Sequence, residues 1–79
     1  MDLKGRIRNV MDNSPFNARD IAILADRKSD FVTRYLEGFP VRRPEQLSPI
    51  LALIEAGHVV KVRVGVYHIH DQPVTEPLP

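Results

Sequence analysis

The chain has 79 residues and no Cys, and its 11 Lys and Arg against 10 Asp and Glu give a formal net charge of +1. A chain of this length is expected to form one small domain with a thin core, and such domains often gain stability by dimerising. The lack of Cys excludes disulfides and thiolate metal sites, and since no apolar run has the length of a signal peptide or a membrane span, we expect a cytoplasmic protein without membrane contact.

An amphipathic helix is predicted at the start of the chain. Its apolar residues recur at the three- and four-residue spacing of a helix: Leu3, Ile7, Val10 and Met11. Asp2 stands at the capping position before the first turn, and the run Asn13-Ser14-Pro15 ends the helical pattern. The helix is therefore expected to bury one stripe and to expose its charged residues.

Two short helices joined by a polar turn are predicted between residues 17 and 39. Asn17 is the expected cap of the first helix, and Asp20, three residues later, completes a capping box. Ser29 repeats the cap signal ahead of the second helix. Gly38 and Pro40 end that helix, because Gly accepts a left-handed conformation and Pro cannot continue a helix.

The apolar residues of these two helices can pack on one another across the turn: Ile21, Ala22, Ala25, Val32, Tyr35 and Leu36. This pattern resembles the helix-turn-helix of phage repressor, Cro and related bacterial regulators. The next segment, RYLEG followed by RRPEQLSPILALIEAG, is similar to the segment after the recognition helix in that family. The resemblance implies DNA binding through the second helix, with a dimer on a palindromic operator.

Two turn positions depart from the family pattern. Asp26 stands where the family usually has Gly, and Asp tolerates positive φ better than most residues. Arg27 stands where an aliphatic side chain is usual. We therefore expect Arg27 to bend outward and Phe31 to fill the core in its place.

A largely buried fourth helix is predicted after the helix pair. Ser48 and Pro49 have the pattern of a cap and a first helical position, residues 50–56 are nearly all apolar, and Gly57 ends the helix. Pro44, with Glu45, is consistent with an earlier turn, after which Pro49 forces a kink or a fresh start.

Residues 59–70 change to an alternating pattern and predict a β-hairpin. Gly65 can supply the positive φ of a type II turn with Val64 at its centre. The pairs set by this turn are Arg63 with Val66, Val62 with Tyr67, Lys61 with His68 and Val60 with Ile69. The predicted apolar face carries Val60, Val62, Tyr67 and Ile69, and the opposite face carries Lys61, Arg63, His68 and His70 beside Val59 and Val66.

The order of helix, helix-turn-helix, helix and two-stranded hairpin predicts a mainly α fold with a C-terminal β-hairpin over residues 1–70. A flexible Pro-rich tail is expected at 71–79. In a winged-helix arrangement the hairpin flanks the recognition helix, and Lys61 and Arg63 contact DNA. In a Cro-like arrangement the hairpin pairs with its copy in a second subunit, and the extra helix before the hairpin favours this alternative slightly.

The candidate recognition helix covers about residues 29–37 and has polar side chains away from its apolar stripe. The candidate base readers are Ser29, Asp30, Thr33 and Arg34. Arg34 is the foremost of them, because its forked guanidinium can meet both acceptors of guanine. The candidate phosphate contacts are Arg19, Lys28, Arg42, Arg43, Lys61 and Arg63. The competing interpretation of each residue is an ordinary solvated surface position.

Enzymatic and metal-dependent functions are disfavoured. His68 and His70 project from one side of a strand, and His58 precedes it, but neither a Cys nor a convincing carboxylate beyond Asp71 completes a metal site. The sequence contains no recognisable catalytic triad, phosphate loop or carboxylate pair, so we expect no enzyme activity, cofactor or small-molecule ligand.

We therefore predict a dimeric, phage-like, sequence-specific DNA-binding transcriptional regulator of the repressor type. The alternative is a protein-protein interaction module of winged-helix type or a small phage inhibitor of a host protein, which the low net charge also fits.

Overall fold

The computed structural model describes residues 1–73, which form four α-helices, one 3₁₀ helix and a two-stranded antiparallel sheet. In chain order these are α1 (Leu3–Asn13), α2 (Ala18–Leu24), α3 (Phe31–Leu36), the 3₁₀ helix (Pro44–Leu47), α4 (Ser48–Glu55), β1 (Val59–Arg63) and β2 (Val66–Ile69). The predicted order of helices and hairpin is confirmed. Across residues 1–73, none of the helices has both the length and the apolar character needed to cross a membrane.

The tail predicted at 71–79 lies mostly outside the described residues. Its described part, residues 71–73, is exposed and belongs to no helix or strand.

Side-chain caps fix the starts of α1 and α2, as predicted. Asp2 Oδ1 accepts a hydrogen bond from the Gly5 amide at 2.7 Å. At α2 the Asp20 amide donates to Asn17 Oδ1 at 2.9 Å, and the Asn17 amide donates to Asp20 Oδ2 at 2.8 Å, which completes the capping box. Each cap satisfies an amide that has no partner within its own helix, a contribution of typically about 1 kcal/mol.

The second helix of the pair, α3, is shorter than the predicted range 29–37, and the prediction that Ser29 caps it is wrong. Asp30 holds the N-cap position, and its side chain makes no capping bond. The preceding turn is closed by the backbone instead, because the Phe31 amide donates to the Lys28 carbonyl at 2.9 Å. The helix ends as predicted, with Gly38 in the left-handed conformation at φ 93°.

One core joins the helices to the first strand. Its buried apolar members are Ile7, Val10, Phe16, Ile21, Ala22, Val32, Leu47, Leu51, Ile54 and Val59. Of the six residues predicted to pack across the turn, three are buried (Ile21, Ala22 and Val32) and three are partly buried (Ala25, Tyr35 and Leu36). Burial of each large aliphatic side chain contributes about 1.5–3 kcal/mol. This packing holds α3 against α2.

Arg6 and Glu55 fasten α1 to α4. Arg6 Nη2 donates to Glu55 Oε1 at 2.6 Å and Arg6 Nε donates to Glu55 Oε2 at 3.2 Å, so the guanidinium meets the carboxylate at two points. Arg6 Nη1 also donates to Ser48 Oγ at 2.8 Å. The predicted cap role of Ser48 is wrong, because the 3₁₀ helix Pro44–Leu47 leads directly into α4 and the Ser48 hydroxyl serves this interhelical contact.

The hairpin turns where predicted, with Gly65 at φ 85°, but most of its register differs from the prediction. Only the predicted pair of Arg63 with Val66 is present. A β-bulge between Lys61 and Arg63 shifts the remaining pairs, which are Lys61 with Tyr67, Val60 with His68 and Val59 with Ile69. The predicted pairs of Val62 with Tyr67, Lys61 with His68 and Val60 with Ile69 are therefore wrong.

The bulge also changes which hairpin side chains face the core. Val59 is 8% exposed and Tyr67 packs against the core, whereas Val62 and Ile69 are 55% and 59% exposed. Lys61, predicted on the outer face, lies inside beside Tyr67. The reason is that both side chains bind the same buried carboxylate, Asp20. The prediction of an inner face containing Val62 and Ile69 is wrong.

Candidate nucleic-acid interface

The candidate interface is built on α3 and the turn that joins it to α2. Asp26 has φ 58° in this turn, so an Asp occupies the left-handed position for which Gly was the expected family residue. The Arg27 amide donates to the Ala22 carbonyl at 2.9 Å, which closes the end of α2. Since Ala22 and Val32 are fully buried, core packing fixes the position of α3 without using its outer side chains.

Arg27 lies outside the core, as expected. Its guanidinium carbon is 5.0 Å from the centroid of the Phe31 ring, and its Nη2 donates to Gln46 Oε1 in the 3₁₀ helix. Phe31 packs against the core. Arg27 therefore ties the turn to the 3₁₀ helix and has a structural contact of its own.

The four predicted base readers are all exposed: Ser29, Asp30, Thr33 and Arg34. The first two precede α3, and the other two lie within it. Within residues 1–73 the two ion pairs are Arg6 with Glu55 and Lys61 with Asp20, so the Arg34 guanidinium belongs to neither. Its five N–H donors can serve a binding partner.

An aromatic side chain that the sequence did not single out lies beside Arg34. The Arg34 guanidinium carbon is 4.9 Å from the centroid of the Phe39 ring. Phe39 is 50% exposed, although Phe is usually among the most buried residue types. The position of an aromatic residue between Gly38 and Pro40, after the helix has ended, is the sequence signal that could have identified it.

A cleft of about 320 Å³ opens beside Arg34. It is lined by residues of the turn, of α3 and of the following loop: Asp26, Arg27, Lys28, Asp30, Phe31, Arg34 and Val41. Three cations and two carboxylates therefore surround two apolar side chains. The cleft brings together Asp30, Arg34 and Lys28, which the sequence predicted as base readers and a phosphate contact.

Five of the six predicted phosphate contacts are exposed: Arg19, Lys28, Arg42, Arg43 and Arg63. Lys28 lies in the turn before α3, and Arg42 and Arg43 lie in the loop after it. Arg19 lies on α2 and Arg63 at the end of β1. The cations close to α3 in sequence thus flank it at both ends.

Lys61 differs from the other five. Its Nζ donates to Asp20 Oδ2 at 2.7 Å and to the Pro15 carbonyl at 3.1 Å, and its side chain is only 16% exposed. These two contacts occupy the ammonium group within the protein, although the side chain is only partly buried. Lys61 is therefore removed from the predicted phosphate contacts.

Asp20 is a fully buried carboxylate that joins α2 to the hairpin. The Tyr67 hydroxyl donates to Asp20 Oδ1 at 2.5 Å and accepts from the Gly65 amide at 3.1 Å. Burial alone would raise the pKa of Asp20, but hydrogen bonds from Lys61, Tyr67 and the Asn17 amide together hold that pKa below its ordinary value. Burial and the hydrogen bond to Asp20 raise the pKa of Tyr67. The network fixes the hairpin onto the helix pair.

The three histidines do not form a metal centre. The His68 and His70 rings stack with centroids 6.4 Å apart, and His58 Nδ1 lies 2.8 Å from the His70 carbonyl oxygen. Among residues 1–73, no three His, Asp or Glu side chains are grouped closely enough to hold a metal ion.

Comparison of the chain with protein-family models, curated proteins and solved structures found no match. The function is therefore inferred from the geometry of α3 and its surroundings.

Proposed function

We propose that the protein is a sequence-specific DNA-binding transcriptional regulator of the repressor type, with α3 as the recognition helix in the major groove. The observation that carries this proposal is the exposed guanidinium of Arg34 on a helix that packing alone holds in place. The major groove admits an α-helix, and guanine presents there two acceptors that a forked guanidinium matches. Arg34 is the principal base reader, with Ser29, Asp30 and Thr33 beside it.

Exposed cations around α3 support the contact with DNA phosphates. Lys28 lines the same cleft as Arg34, and Arg42 and Arg43 follow α3 in the next loop. Such residues position a protein on the duplex without reading sequence. Although the formal net charge of the chain is only +1, these cations make the basic surface local to the recognition helix.

The hairpin is proposed as a dimerisation element of the Cro-like type, not as a DNA-contacting wing. Of the two hairpin cations predicted to touch DNA, Lys61 is partly buried and paired with Asp20. Val62, Val64 and Ile69 expose apolar surface on the same hairpin. Within residues 1–73 each strand has one partner, so its outer edge can pair with another strand.

A homodimer formed in this way presents two copies of α3 to one face of the duplex. Half-sites about 34 Å apart match one helical turn of DNA, so the operator is expected to be palindromic.

A second candidate function is protein recognition. The exposed apolar residues of the hairpin and the half-exposed Phe39 favour it, because such side chains are typical of contact surfaces between proteins. Salt dependence separates the two functions, since phosphate contacts release counterions and apolar contacts do not.

Selection of bound duplexes from a random pool tests the proposal, followed by affinity measurements over a range of salt concentrations. A DNA-binding regulator should enrich a short palindromic motif. The logarithm of its association constant should fall linearly with that of the salt concentration, with a slope of about −0.9 per phosphate neutralised. Absence of enrichment, together with absence of duplex binding at low salt, would contradict the proposal.

A further inference from the structure

We propose that Phe39 is a specificity-determining residue, which contacts the methyl group of a thymine next to the guanine bound by Arg34. This inference rests on the proposed function and names the base step that its recognition surface prefers. The Arg34 guanidinium carbon lies over the Phe39 ring, 4.9 Å from its centroid, so the two side chains form a cation–π pair.

The geometry of this pair relates Phe39 to a neighbouring base. A guanidinium that meets both major-groove acceptors of guanine lies close to the plane of that base. Successive bases of one strand are about 3.4 Å apart along the helix axis. Since the centroid of the Phe39 ring is 4.9 Å from the guanidinium carbon, the ring is within reach of a base adjacent to that guanine.

The chemistry of Phe39 selects thymine as that base. Thymine is the base that presents a methyl group in the major groove, and apolar contact by Phe is one way in which proteins read it. Half of the Phe39 surface is exposed to water, so contact with a methyl group would remove apolar area from water.

The backbone of Phe39 has a structural role, because its amide donates to the Arg34 carbonyl at 3.0 Å and closes the end of α3, but the exposed ring is not needed for that bond. Phe39 belongs neither to the buried core nor to the partly buried residues that pack against the core. The end of α3 is fixed by the backbone, with Gly38 at φ 93° and the amide of residue 39 bonded to the Arg34 carbonyl. The aromatic partner that Phe39 offers to Arg34 lies outside the packed interior.

The test uses the full chain and a duplex that carries the selected motif. The thymine beside the guanine is replaced by deoxyuridine, which removes only the methyl group, and both duplexes are titrated with the wild type, Phe39→Leu and Phe39→Ala. The wild type should bind the deoxyuridine duplex about fourfold more weakly, the equivalent of one buried methyl-sized group. Phe39→Leu should keep part of this difference, and Phe39→Ala should show none. A deoxyuridine placed elsewhere in the motif is the matched control and should leave the affinity unchanged.

Several results would overturn the inference. A selected motif without a thymine next to a guanine, equal wild-type affinity for the two duplexes, or the same difference in wild type and Phe39→Ala each removes Phe39 from the base readers and leaves the proposed function standing. Absence of any duplex binding overturns both. The wild-type comparison needs no substitution, so equal affinity for the two duplexes overturns the inference even if Phe39→Ala fails to fold. In that case Phe39→Leu tests the assignment to this ring, and a methyl effect as large as that of the wild type overturns it.

Discussion

At the scale of single residues, Asp20 is the position at which a substitution disturbs the largest number of buried polar contacts. Its carboxylate is fully buried and accepts from Lys61, Tyr67 and the Asn17 amide. A buried charge is tolerated because it is fully paired, and removal of one partner leaves the other charge without compensation. The capping role of Asp20 was predicted, but its long-range partners were not, since Lys61 is 41 residues away in the chain.

Asp20→Asn should lower the free energy of unfolding by roughly 1.5–3 kcal/mol, because it removes the charged acceptor of the hydrogen bonds from Lys61 and Tyr67. Urea denaturation at neutral pH measures this loss. Glu55→Gln is the matched control, since Glu55 also pairs with a cation but its side chain is 34% exposed. Its expected loss is below about 1 kcal/mol. Equal losses of unfolding free energy in the two variants would show that the buried Asp20 pair contributes no more to stability than the exposed Glu55 pair.

Asp20 and Tyr67 make stability depend on pH at both ends of the scale. Folding lowers the pKa of Asp20 from its ordinary 3.8, so its contribution is present above about pH 4 and is lost as the pH falls through the folded-state pKa. Folding raises the pKa of Tyr67 from its ordinary 10.0, so its contribution is present below about pH 10 and is lost as the pH rises through the folded-state pKa.

Tyr67→Phe should therefore reduce the loss of stability above about pH 10, and it should also make the loss below about pH 4 smaller, because the Tyr67 hydroxyl is one of the donors that lower the pKa of Asp20. It should also destabilise the protein by about 1 kcal/mol at neutral pH, because Asp20 loses a hydrogen-bond donor. Urea midpoints of both proteins across the pH range measure these effects. An alkaline loss identical to that of the wild type would exclude Tyr67 ionisation as its cause.

At the scale of secondary-structure elements, sequence motifs correctly predicted helix ends that depend on neighbouring residues. They did not predict the hairpin register, which depends on residues far apart in the chain. The Asn17 capping box and the Gly38 end depend on residues within a few positions, and both are confirmed. The hairpin register depends on Asp20, which draws Lys61 and Tyr67 to the same inner face through a β-bulge. Alternation alone cannot predict a bulge, because one extra residue exchanges the two faces of the strand.

The corrected hairpin register makes opposite predictions for two valines of β1. Val62→Asp should change the free energy of unfolding of the monomer by less than about 0.5 kcal/mol, since Val62 is 55% exposed. Val59→Asp should unfold the domain, because Val59 is 8% exposed and an unpaired charge there would be buried. Thermal melting of the two variants, at a protein concentration at which both they and the wild type elute as monomers, distinguishes this register from the one predicted by alternation, in which Val62 faces the core and Val59 faces solvent.

At the scale of the whole molecule, the sequence predicted those residues of the candidate interface that are close to one another in the chain. Lys28 and Arg34 are six positions apart and line one cleft, as their place around one turn and helix suggests. The prediction that Lys61 lies on the outer face of the hairpin is wrong. Its charge indicates a surface position, but its partner, Asp20, is buried. Phe39 was overlooked, since the exposure of its ring is a property that the composition of its segment does not reveal.

The proposed division of labour between base reading and phosphate contact predicts different behaviour for Arg34 and Lys28. Arg34→Ala should cost about 1–3 kcal/mol on the selected motif and relax the preference at one base position. Arg34→Lys keeps the charge but loses the fork, so it should lower the preference for guanine while nonspecific affinity stays near that of the wild type. Lys28→Ala should instead weaken binding to all duplexes alike and reduce the salt slope by about one. Titrations of motif and scrambled duplexes measure all three variants, and an equal loss on both duplexes in Arg34→Ala would assign Arg34 to the phosphate contacts.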